Sequence, residues 1–129
     1  MNKVVFHKFS TNIYPTNIYI AVTNNQSAIS DRFMYEDCKD IDDLPVNCDA
    51  LCLSVIERDT NEFGELIVFM RKEYMTIPTM AHESFHCVAN ICNRLGISYK
   101  EDDNNETFAY LMGYTMDCCN QVRTNKFKS

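Results

Sequence analysis

The chain predicts an α+β fold, a small, mostly antiparallel sheet of three to four strands packed on about three helices. Three observations carry that expectation. Short apolar runs, in part of period two and broken by turn residues, fill the N-terminal part. Two longer segments nearer the C-terminus repeat apolar residues at spacings of three and four, the signature of amphipathic helices. The length of 129 residues, with 46% hydrophobic and 23% charged, suits one soluble core. No repeat, low-complexity stretch or Pro/Gly/Ser-rich linker interrupts residues 1–129, so a single domain is expected.

Val4–Phe9 reads as a first strand. After Pro15, Asn17–Thr23 alternates Ile18, Ile20 and Val22 with Asn17, Tyr19 and Ala21, a second strand. Asn24-Asn25 turns or caps the chain, and Gln26–Tyr35 carries Ile29, Phe33 and Met34 at helical spacing, a short first helix. The acidic stretch Asp37–Asp49, with Pro45 and Asn47, reads as an irregular connection. Leu51–Arg58 and Glu65–Met70 flank a polar segment ending in Gly64, a hairpin in which Gly64 can take a positive φ. Thr76 and Pro78 open a helix of about 18–20 residues, lined by Ala81, Phe85, Val88, Ala89, Cys92 and Leu95, and Gly96 closes it. A last helix follows the acidic run at Asp102, with Glu106 in its first turn and Phe108, Leu111, Met112, Thr115, Met116 and Cys119 along it.

Chemistry concentrates on the first of these two helices. His82-Glu83-Ser84-Phe85-His86 reads H-E-x-x-H, which ordinary composition produces by accident in well under about 1% of chains of this length. Residues four apart share one helix face, so both imidazoles can reach one cation. Glu83, offset by one position, is placed to hold a carboxylate beside an attacking water rather than to ligate. Glu106, with nineteen residues between it and His86, can swing a third ligand into the site from the next helix. Zinc, one per chain, is the expected cation, though these ligand types also accept iron, cobalt or manganese. Tyr110 is the first candidate for an oxyanion donor, with Tyr114, Tyr74 and His7 behind it.

His82, Glu83 and His86 followed by Glu106 at this separation resemble the gluzincin metallopeptidases, the thermolysin-like superfamily. The short chain is also similar to small, minimal gluzincin-like proteins of phages and bacteria. The resemblance spans about Leu66 to Met116. It implies a zincin-like H-E-x-x-H helix, zinc on His82, His86 and Glu106, Glu83 as general base, and a peptide bond as substrate. Asn105 keeps the Asn that precedes the third ligand, whereas Tyr110 stands where thermolysin has an Asp. The strand before the motif helix, Glu65–Met70, is by the same resemblance placed to pair with an extended substrate.

The partner that the resemblance implies is a peptide or protein substrate, and charge and cysteine content bear on what else is expected. A formal net charge of −6 argues against a nucleic-acid backbone, and no apolar stretch approaches a membrane span. Val4-Val5-Phe6 is broken at once by His7 and Lys8, far short of a secretory apolar core. Seven cysteines without a doubled C-x-x-C fit a reducing compartment, where they pack as small hydrophobes; a cytoplasmic location is expected. The rival reading is a non-catalytic protein, zinc-stabilised or host-modulating, that binds a partner. Glu83 separates the two, since a structural metal site has no use for it.

Overall fold

The computed structural model describes residues 3–11, 13–45, 47–97 and 105–128. Strands β1 (His7–Ser10), β2 (Asn17–Val22), β3 (Phe33–Tyr35), β4 (Ala50–Glu57) and β5 (Phe63–Phe69) form one sheet in the order β1-β2-β5-β4-β3. Helix α1 (Gln26–Arg32) joins β2 to β3, while α2 (Ile77–Leu95) and α3 (Glu106–Thr124) follow β5. The class is α+β. The sheet, however, has five strands and is mixed: β2 and β5 run parallel, from Asn17↔Gly64 to Val22↔Phe69. That pairing joins segments far apart in the chain, so no local turn signature announces it.

Both faces of the sheet are buried, which is why its central strands β2 and β5 read as near-continuous apolar runs. On one face Ile18, Ile20, Ile67 and Phe69 meet Met80, Cys87, Val88 and Ile91 of α2 and Leu111, Cys118 and Val122 of α3. On the other face Tyr19, Leu66, Val68 and Val55 meet Ile29 of α1, Phe33 and Ile41. Each such side chain, fully buried, contributes about 1.5–3 kcal/mol. Cys87, Cys92, Cys118 and Cys119 are buried free thiols, packed as small apolar groups, whereas Cys38 is exposed. No helix among the described residues is long and apolar enough to cross a membrane.

Three local expectations need correction. The first strand starts at His7, not Val4. The first helix stops at Arg32, and Phe33–Tyr35 is a strand paired with Val55–Glu57. Phe33 is extended (φ −129°, ψ 157°) because its ring packs edge-on against Phe6 and Tyr19, at 5.2 and 4.9 Å between centroids. In the β4–β5 hairpin the positive φ belongs to Asn61 (59°), and Gly64 lies within β5. Gly64 is needed there for closeness: a Cβ would stand 2.5 Å from Tyr19 Cε2 and 2.9 Å from the Asn17 carbonyl oxygen.

Candidate metal and proton-transfer site

Helix α2 is defined by its own ends. Thr76 Oγ1 accepts from the Thr79 N–H at 3.4 Å, Pro78 occupies the first turn, and Gly96 closes the helix in the left-handed region at φ 69°. The residues turned inward are Met80, Glu83, Ser84, Cys87, Val88, Ile91 and Cys92. Glu83 is the one charged member of that stripe. His82 and His86 flank it on the exposed side.

The two imidazoles converge. Nε2 of His82 lies 3.2 Å from Nε2 of His86. Two nitrogens bound to one tetrahedral zinc at about 2.0–2.1 Å stand about 3.3 Å apart, so the rings already have the spacing of a shared cation. Without a cation, the same distance lets one ring donate a proton to the other. Glu83 Oε2 is 3.9 Å from His82 Nε2, and Glu83 is only 6% exposed. Among the described residues its carboxylate accepts no hydrogen bond. Burial raises its proton affinity, and the charges of His82 and His86 pull it back in part. An open cavity of about 410 Å³, bounded by Asp49, Ala50, Pro78, Thr79, His82 and Glu83, gives a small molecule or peptide access.

The other expected residues are placed differently. Glu106 is exposed and opens α3, and among the described residues no group of three His, Cys, Asp or Glu side chains converges on one point. The start of α3 is nonetheless held against the motif helix, since Phe108 packs edge-on against Phe85 at 5.5 Å. Asn105 is the N-cap residue of α3, without a side-chain cap bond. Tyr110 is exposed, its ring stacked with that of Tyr114 at 6.4 Å. The Tyr114 hydroxyl donates to the Ser10 carbonyl, His7 stacks on Phe127, and Tyr74 packs on the opposite face of the sheet.

Glu65–Met70, expected to receive a peptide at a sheet edge, is interior: β5 has β2 on one side and β4 on the other. The open edge beside the motif belongs to β4. Met70 N–H donates to Asp49 O and Glu57 N–H to Glu62 O, so the odd-numbered residues of β4 bond to β5. The N–H and C=O groups of Ala50, Cys52 and Ser54 therefore point the other way. β3 covers only Val55–Glu57 there, and among the described residues no strand pairs with Ala50–Ser54 on that side. Burial follows the pairing: Ala50–Ser54 are half-buried, Val55–Glu57 fully buried. The sequence carried a faint sign of this edge. Ala50, Cys52 and Ser54 are small and share the face toward α2, which lets the motif helix approach the strand.

A polar network fixes that approach. Glu65, fully buried on β5, receives Ser54 Oγ at 2.8 Å, Asn90 Nδ2 at 3.0 Å and Arg94 Nη1 at 2.6 Å. Arg94 Nη2 reaches Thr16 Oγ1 at 2.6 Å. Asn90 and Arg94 lie one and two turns beyond His86 on the same side of α2, so the network sets the helix's rotation against β4 and β5. Burial raises the proton affinity of Glu65, and bonds from Asn90, Arg94 and Ser54 oppose it. Compared with protein-family models, curated proteins and solved structures, the chain matches none.

Proposed function

We propose that this chain is a zinc-dependent hydrolase of the gluzincin type, zincin-like around α2, that cleaves peptide bonds. The observation that carries the reading is the pairing of His82 and His86 at 3.2 Å beside a buried carboxylate, Glu83, with no hydrogen-bond partner of its own among the described residues. Glu83 lines the open cavity beside His82, and a carboxylate there, on a helix stripe otherwise free of charge, suits a group kept for proton transfer. His82 and His86 would hold the zinc, and Glu106, at the start of the helix docked by Phe108, is the proposed third ligand. Zinc at such a site supplies a Lewis acid and lowers the pKa of water toward about 7.

The remaining work falls to this chain's own groups. Glu83 Oε2 takes the proton of the attacking water and returns it to the leaving amine. The outward N–H and C=O groups of Ala50 and Cys52 bind the backbone of an extended peptide by strand addition, which favours peptides over other acyl substrates.

The rival is a non-catalytic, zinc-stabilised binding protein; among the described residues only two of the proposed ligands converge, which weighs on either kind of zinc site. Metal analysis by mass spectrometry and hydrolysis of a peptide library decide between them. The expected outcome is about one zinc per chain, lost in His86→Ala, retained in Glu83→Gln, with hydrolysis abolished in both. Zinc without hydrolysis in the wild type supports the rival. Wild type that holds no zinc overturns both.

A further inference from the structure

We infer that the β4 edge admits only the amino-terminal end of a peptide, so that the bond cut lies no more than about four residues from that end. The inference rests on the peptidase reading above and adds its substrate class.

The geometry is a matter of register. β3 runs antiparallel to β4 with Phe33 opposite Glu57 and Tyr35 opposite Val55. A strand continuing the line of β3 would next face Ser54, Leu53, Cys52, Leu51 and Ala50. The segment that follows Tyr35 turns away instead. Cys38 N–H bonds to Tyr35 O and Tyr35 N–H to Lys39 O, each at 2.9 Å, and Asp40 comes back against Met34. The turn after Tyr35 therefore closes the edge at its Ser54 end. The other end, at Ala50, opens into the cavity that holds His82 and Glu83.

A substrate strand that fills this slot in the antiparallel sense, the slightly more stable pairing, runs in the direction of β3. Its amino terminus then meets the closed end, and its downstream part passes the proton-transfer site. Ala50–Ser54 spans about 17 Å at roughly 3.3–3.4 Å per residue, room for about four residues upstream of the bond at Ala50. The closed end also suits a free ammonium. Glu36 follows Tyr35 directly, and its carboxylate is half exposed, 3.8 Å from Arg94 Nη1.

The test is a ruler. The zinc-loaded full chain is given peptides that share one core sequence and carry none, two, four or eight extra residues upstream, with cut positions mapped by mass spectrometry. A pooled library read in parallel reports peptidase activity of any kind. The expected result is a cut that keeps its distance from the amino terminus as the extension grows, releasing fragments of two to four residues. Acetylating that terminus should slow cleavage at least about tenfold. A cut that stays at one core bond whatever lies upstream overturns the inference and leaves the peptidase reading standing. Short fragments released from the carboxyl end also overturn it, since they require the parallel orientation. A wild type that cuts nothing in the library sinks the peptidase reading, and this inference with it.

Discussion

Glu83 occupies a position at which the pattern of α2 calls for a hydrophobe. Its neighbours on the buried stripe, Met80, Cys87 and Val88, make the apolar contacts that hold the helix on the sheet. Partial burial disfavours the charge of this carboxylate, so Glu83→Gln, which removes the charge at constant shape, need not weaken the fold. Gly64 is the opposite case, a residue whose value lies in what it lacks. Gly64→Ala puts a methyl group into the Tyr19 ring and the Asn17 carbonyl, at 2.5 and 2.9 Å. Urea unfolding should register a loss of about 1–3 kcal/mol, the usual range for overpacking. The sequence suggested a glycine here for a positive φ; the actual reason, a ring from a strand more than forty positions away, leaves no trace in the neighbouring residues.

The span of helix α2 was legible almost to the residue because its signals are local. Thr76, Pro78 and Gly96 mark its ends, but its inner face differs from the expected one: of that stripe only Val88 and Cys92 are buried, Phe85 is exposed, and Met80, Cys87 and Ile91 turn inward instead. The same locality hid β3: Phe33 and Met34 continue the helical spacing of α1, and only pairing with β4 and packing on Phe6 and Tyr19 draw them into the sheet. Of the site, H-E-x-x-H could be read from spacing alone, whereas the free edge of β4 depends on where a distant strand stops. The closure of α2 is open to a clean test. Gly96 is at φ 69° and a Cβ there meets nothing within 4 Å, so Gly96→Ala isolates backbone strain from crowding. The substitution should cost about 1 kcal/mol in thermal or urea unfolding.

At the scale of the molecule, Glu57 ties the far end of the sheet together. Its carboxylate takes Arg32 Nε at 2.9 Å from the end of α1, the Tyr19 hydroxyl at 3.1 Å from β2 and Thr60 Oγ1 at 3.0 Å from the hairpin turn. Burial would raise its pKa, but the bonds from Arg32, Thr60 and Tyr19, with the Arg32 charge, hold it below the ordinary 4.5. The folded state thus binds this proton less readily than the unfolded chain does. Its stabilisation is complete above that value and is lost as pH falls through the folded pKa. Urea midpoints measured down through the acid range should fall on this limb, and Glu57→Gln should flatten it while lowering stability at neutral pH. The half-covered edge of β4 has a consequence of another kind. Unpaired strand edges template aggregation, and Ala50–Ser54 carries neither the lysine nor the proline that commonly guards one. What stands guard is the acidic stretch that leads into it, with Asp37, Asp40, Asp42, Asp43 and Asp49, on a chain of net charge −6. Repulsion between two such stretches opposes edge-to-edge pairing of two copies, so self-association, read by light scattering, should rise as salt screens these carboxylates or acid neutralises them.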